Sequence, residues 1–283
     1  ERPAGLARAH ALVHATEVNP PIANKSAIAT WGPALLTGFT AGLAGGLFGV
    51  GGGILLVPML IAFFALTQHQ AHGTSLAAIG ATAVAGLLVY GLHGQVAWLP
   101  AGIMSLSSVL AARWGARLAA RTSRERLTSA FALFLVLVAA RILWKAPAGS
   151  AEHALTGMVG LLASLALGAT VGLLSGFMGV GGGVIAVPAL TLLFGMSQQM
   201  AQGTSLALIL VTAPFGAMEH DRLGNVARPL LPGLALGALV GAPLASVAAQ
   251  QVPQAMLARG FAVFLLANVA RMVWVAATQR RSA

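Results

Sequence analysis

The sequence predicts an all-α polytopic membrane protein of two related, inverted repeats, and three observations predict it: the composition, the length of the uncharged apolar runs, and a repeat that keeps one register. Of 283 residues, 58% are hydrophobic and 8% charged, and the mean hydropathy is +0.86. A water-facing surface of ordinary composition cannot be built from such a set. A helix needs about 20 apolar residues to cross about 30 Å of hydrocarbon, and several stretches offer that length without a charge.

The net charge of +10 does not describe a nucleic-acid surface. The arginines stand at the ends of apolar runs instead of forming one basic face, which is the distribution of cytoplasmic loops. There is no cysteine, so neither a disulfide framework nor a thiolate metal site is available. Residues 1–26 hold Glu1, Arg2, Arg8, Glu17 and Lys25 without an apolar core of signal-peptide length, and read as a trimmed polar leader on the membrane surface.

The repeat organises the rest. Gly49-Val50-Gly51-Gly52-Gly53 recurs as Gly179-Val180-Gly181-Gly182-Gly183, an offset of 179 − 49 = 130. At the same offset Val57-Pro58 matches Val187-Pro188, and Gly73-Thr74-Ser75-Leu76-Ala77 matches Gly203-Thr204-Ser205-Leu206-Ala207. Gly94-Gln95-Val96 matches Gly224-Asn225-Val226, and Arg141 with Trp144 matches Arg271 with Trp274. The chain therefore divides into a leader (1–26), a first transmembrane repeat (27–147) and a second (153–277).

Each repeat is expected to carry about three to five helical segments, roughly 8 to 10 in all. In the first repeat the apolar segments fall near 27–47, 54–66, 72–92, 96–118 and 124–145. The second is too short for a full crossing; it is either one arm of a hairpin turning at the glycine run or a tilted, broken helix. Arg113, Arg117, Arg121, Arg124 and Arg126 surround the link between the fourth and fifth segments and place it in the cytoplasm. The matching link in the second repeat, 248–254, has no charge, whereas Arg222 and Arg228 mark the preceding link, where the first repeat has only His93. The bias has switched sides, as inverted repeats with an odd number of crossings require. Lys25, Arg222, Arg228, Arg280 and Arg281 then share the cytoplasmic side with the C-terminus.

The glycine runs interrupt apolar sequence at matched positions, which is where secondary transporters place their substrate. Non-helical backbone is tolerated in lipid only where protein buries it or water reaches it. Gly51, Gly52, Gly53, Gly181, Gly182 and Gly183 can present bare amides beside the positive end of the following helix, an anion site without a cation. Pro58 and Pro188 weaken that helix near its start. Thr74, Ser75, Thr204 and Ser205 add amides and hydroxyls at the head of the third segment. His72, matched by Gln202, can ligate an anion or carry a proton.

Plainer roles compete with each of these. Gly38, Gly42, Gly45 and Gly46 are spaced for close helix packing, and glycine runs in membrane helices often serve that purpose. Ser and Thr commonly bond their own helix backbone; His72 can be an interfacial helix end, Arg141 and Arg271 can snorkel to head groups, and Gln95 and Asn225 suit turns. A nucleotide loop does not fit, because no strand pattern flanks the glycines and no Lys follows. The carboxylates Glu1, Glu17, Glu125, Glu152, Glu219 and Asp221 lie in the leader or near segment ends. They assemble no cation cage, metal centre or hydrolase site, so no enzyme activity and no cofactor are expected.

With these motifs the sequence resembles the TauE/SafE family of sulfite exporters. The resemblance rests on the doubled Gly-Val-Gly-Gly-Gly, the Val-Pro that follows, and the Ala-x-Gly-Thr-Ser-Leu runs at 71–76 and 201–206. Gly115-Ala116-Arg117-Leu118-Ala119 and Gly224-Asn225-Val226 also fit, and the likeness spans about 27–277. It departs where Ala242-Pro243-Leu244 stands for Ala116-Arg117-Leu118. The resemblance implies export of sulfite, sulfoacetate or related organosulfonates through the cell membrane. The partners expected are thus a small anion and the lipid bilayer, with no nucleic acid; a homo-oligomer is compatible. An anion channel, or a receptor or assembly subunit that transports nothing, are the alternatives.

Overall fold

The computed structural model describes residues 27–119, 124–144, 157–178 and 181–281. The polar leader, Arg121, the link between the repeats, and Gly179 and Val180 lie outside the described residues. The first repeat forms α1 (Ala27–Phe48), α2 (Gly53–Phe64), α3 (Gln68–Leu92), α4 (Trp98–Ala119) and α5 (Arg124–Trp144). The second forms α6 (Gly157–Met178), α7 (Gly183–Leu193), α8 (Gln198–Arg222), α9 (Leu231–Gln251) and α10 (Gln254–Arg281), with a 3-10 turn, Arg228–Leu230, before α9. The described residues are all-helical and contain no strand. Five of the helices are long and apolar enough to cross a membrane.

The repeats use the same local devices. Thr67 caps α3: its Oγ1 accepts from Gln70 N at 3.3 Å, and Gln70 Oε1 accepts from Thr67 N at 3.2 Å. Its counterpart Ser197 caps α8 through Met200 N at 3.1 Å. Both caps satisfy an amide that the first turn leaves unpaired, and the Thr67 cap is reciprocal. The second segments are continuous helices of 12 and 11 residues with Pro58 and Pro188 inside. At 1.5 Å per residue they reach only about 18 Å, short of the hydrocarbon thickness.

Packing crosses between the repeats. On α1, Gly38, Gly42 and Gly46 meet the backbone of Leu234, Ala238 and Ala242 on α9. Each step advances four residues on both helices, so α1 and α9 run parallel. Gly233, Gly237 and Gly241 return the approach against α1, a small-residue seam from both sides. The repeat-related pair behaves alike, with Gly168 on Met104 and Gly172 on Ser108, so α6 runs parallel to α4. By contrast Gly73 meets His220, Leu76 meets Gly216, Leu206 meets Gly86 and Gly203 meets Tyr90, so α3 and α8 are antiparallel. α5 packs on α10.

Two cores result, and both draw on both repeats. One joins Leu56, Leu60, Ile79 and Tyr90 to Leu206, Ile209 and Leu234. The other joins Val50, Ile54, Met104 and Ile142 to Val184, Leu190 and Phe261.

Candidate functional site

The glycine turns are built by backbone that only glycine adopts without strain. Gly49, Gly51, Gly52, Gly181 and Gly182 all have φ between 68° and 80°, a left-handed region costly for other residues. Gly52 caps α2 and Gly182 caps α7, and neither receives a side-chain cap. Gly52 O accepts from Leu55 N at 3.1 Å and Leu56 N at 3.0 Å; Gly182 O accepts from Ile185 N and Ala186 N at 3.1 and 3.0 Å. The two turns thus share one hydrogen-bond pattern.

They also meet. A Cβ on Gly183 would stand 2.8 Å from Val50 Cα of the other turn, 2.9 Å from Ile209 Cδ1 and 3.0 Å from Ser205 Oγ. One on Gly51 would meet Ile209 and Ile79, and one on Gly181 would meet Ile79 at 2.6 Å. Gly51, Gly52, Gly53, Gly181, Gly182 and Gly183 are all buried. The structure therefore brings the two predicted glycine sites together at the crossing of α3 and α8, with Ile79 and Ile209 between them. These isoleucines were not singled out by sequence, although they too are repeat-related.

The Gly-Thr-Ser motifs split into two roles. Thr74 Oγ1 accepts from Ala227 N at 2.9 Å, and Thr204 Oγ1 accepts from Ala97 N at 3.0 Å. Each threonine thus ties down the loop of the opposite repeat. Thr204 Oγ1 also donates to Met200 O at 2.7 Å. Ser75 Oγ and Ser205 Oγ are fully buried and have no hydrogen-bond partner, as is Thr82 Oγ1. Thr82 Cγ2 comes near Gly45 beside the Gly51–Gly52 peptide. Buried hydroxyls are nearly always paired, so these orphans, with Ser205 against the uncapped start of α7, call for an explanation.

His72 and Gln202 occupy equivalent places, and Gln202 packs on the first glycine turn, where a Cβ on Gly49 would stand 2.5 Å from its Cα. Gln202 Oε1 is 2.8 Å from the Tyr90 hydroxyl, which also reaches Gly46 O at 2.9 Å. Gly46 lies in the last turn of α1, where carbonyls lack helical partners, and Ser246 Oγ joins it at 3.3 Å. His72 Nε2 stands 3.4 Å from Gln68 Nε2. Gln95 and Asn225 form turns, as expected, after Gly94 and Gly224 at φ 67° and 72°. Tyr90 escaped the sequence reading, though as the single tyrosine of the chain, set in a membrane-length apolar run, it carried a signal.

A family model for the sulfite exporter TauE/SafE matches residues 34–272. The chain belongs to this family. Among relatives of this TauE/SafE chain is a "Probable membrane transporter protein" of Xylella fastidiosa, 30% identical, covering 88% of this chain and 96% of that protein. YunE of Bacillus subtilis, also named a probable membrane transporter protein, is 28% identical over 74% of this chain and 86% of its own. A protein of the same description from Haemophilus influenzae is 27% identical over 82% and 94%. No solved structure matches the chain. Family membership and several membrane-length helices make this TauE/SafE chain a multi-pass membrane protein.

Proposed function

We propose that this chain is a secondary transporter that exports small sulfur oxyanions, sulfite or sulfoacetate or another organosulfonate, by alternating access of two inverted repeats. The observation that carries the reading is the convergence of two buried, uncapped, left-handed glycine turns, with the unpaired hydroxyl of Ser205 against Gly183 and the equally buried, unpaired hydroxyl of Ser75 at the repeat-related position. Amides and hydroxyls are donors suited to an oxyanion, and bonds to a charged acceptor are roughly twice as strong as neutral ones. A site of neutral donors also releases its ion more readily than a desolvated arginine pair. The sulfur chemistry comes from the family description, and the sulfite name is what favours it over other oxyanions.

The packing directions support inversion. Two homologous helices that cross antiparallel, α3 and α8, are related by an axis perpendicular to their length, and the parallel pairs α1–α9 and α4–α6 follow from the same operation. Cysteines at His93 and at its counterpart Leu223, both exposed, should be labelled from opposite sides of the membrane; same-side labelling overturns the inversion.

In proteoliposomes, sulfite or sulfoacetate should show saturable counterflow. Ser75→Ala with Ser205→Ala should weaken it at least tenfold, an effect of about 1.4 kcal/mol, without lowering Tm, because those hydroxyls have no protein partner to lose. Thr74→Val with Thr204→Val should lower Tm instead, by releasing two loop amides. Exchange of a cation or neutral metabolite, and of no anion, overturns the substrate class.

A further inference from the structure

Beside the first glycine turn, an apolar cavity of about 750 Å³ opens between α1, α9 and α10. Its described wall is almost wholly hydrocarbon, and the three polar side chains among the described lining residues are Thr40, Asn268 and Arg271. Two of these are engaged with their own helices: Thr40 Oγ1 reaches Leu36 O and Thr37 O, both at 3.0 Å, and Asn268 Nδ2 donates to Phe264 O at 2.7 Å. Arg271 differs. Its Nε is buried without a hydrogen-bond partner, and among the described residues no acid lines the cavity. A guanidinium is always charged and matches phosphate geometry, and an ionisable group within a membrane helix implies a partner.

Depth and chemistry together identify that partner. Arg271 lies one turn before Trp274, which is 67% exposed and stands near the end of the apolar run, six residues ahead of the charged pair Arg280-Arg281. Tryptophans at span ends mark the head-group level. The cavity thus offers one cation at head-group depth and hydrocarbon beyond it. A small hydrated oxyanion would gain one charged contact and lose its water against leucine and phenylalanine. A lipid satisfies both parts, and basic pockets between membrane helices commonly hold anionic head groups.

We propose that this cavity is a binding site for an anionic phospholipid, with the phosphate on Arg271 and an acyl chain along α1 and α9. Phe48 and Leu55 belong to the same wall and flank the first glycine turn, so an occupying chain packs against the entry and exit of that turn. The site needs only that the chain sits in a membrane. It stands or falls independently of the substrate assignment.

The test compares purified protein in nanodiscs of phosphatidylcholine alone with nanodiscs that also contain phosphatidylglycerol. Tm is read together with lipid retention by native mass spectrometry. The wild type should retain phosphatidylglycerol and melt higher in its presence. Arg271→Gln should retain about tenfold less, as expected for one lost charged contact, whereas Arg141→Gln, at the exposed repeat-related position, should behave as wild type. Ala248→Phe, which fills the cavity from its exposed rim and keeps the arginine, should also lose retention and carries the test should Arg271→Gln not fold. Equal behaviour of the wild type in both lipids, or undiminished retention by Arg271→Gln or by Ala248→Phe, overturns the site. So does an Arg271-dependent rise in Tm produced by inorganic phosphate with phosphatidylcholine alone, which would identify a small-anion site instead.

Discussion

The two ends of the α3–α8 pair share one backbone scheme and have opposite chemistry. At one end Gly203 fits under Tyr90 and the Gln95 carbonyl; at the other Gly73 fits under His220 and the Asn225 carbonyl. The first is closed by a neutral network of Tyr90, Gln202, Gly46 and Ser246, with all three side chains fully buried. The second holds half-buried His72 and His220, with exposed His69 alongside. Beyond it Arg228 pairs bidentately with Asp221, at 3.0 and 2.8 Å, and Arg222 lies 3.5 Å from Glu219. Duplication preserved the close approach of backbone and left the side chains free to diverge. One end became a hydrogen-bonded seal and the other a solvated, charged rim.

The largest expected effect tests what the two ends share. Gly73→Ala and Gly203→Ala each drive a methyl into a backbone carbonyl of the opposite repeat, which cannot swing aside as a side chain can. Each should cost about 3 kcal/mol, the upper part of the overpacking range, and the two losses of Tm should be similar. A large loss at one position alone would break the equivalence.

A medium effect tests what separates them. Tyr90→Phe takes from buried Gln202 Oε1 its tyrosine donor and leaves Gly46 O to Ser246 Oγ, and should cost about 1–3 kcal/mol. His220→Phe removes a ring whose Nδ1 makes no hydrogen bond and should stay within about 0.5 kcal/mol. Thermal unfolding of both variants in one detergent decides it, and equal losses would mean that the seal is no stronger than the rim.

The smallest effect concerns how the short helices end. Ala65 leaves α2 at φ 50°, where the second repeat has Gly195 at φ 63°. Ala65→Gly should raise stability by about 1 kcal/mol, since a left-handed conformation is costly for any residue with a Cβ. A lowered Tm would show that the methyl group compensates for its strain.

Much of this was legible in the sequence. The predicted segments of the first repeat coincide with α1 to α5 within a few residues, because membrane-length apolar runs and Gly-Pro punctuation mark ends directly. The glycine runs were located with their partners because a repeat announces equivalence. Equivalence, however, does not say what touches what. Thr74 and Thr204 looked like ligand hydroxyls, yet their partners, Ala227 and Ala97, lie in the opposite repeat, and no local periodicity points there. Ser75 and Ser205, indistinguishable from their neighbours by type, proved to be the unpaired ones. Gly38, Gly42 and Gly46 were read rightly as packing residues, but a spacing of four names no partner helix.

That partner, α9, is the source of a constraint on the order of synthesis. α1 presents a glycine seam whose mate is made about 200 residues later, so at about 5–20 residues per second the seam waits roughly 10 to 40 s with only lipid or insertion machinery against it. The repeat-related pair has no such delay problem, since α4 already stands in the membrane when α6 arrives. A ribosome stalled between the repeats would therefore hold an inserted first repeat whose α1 still lacks its companion, and the second repeat completes the first as it is translated.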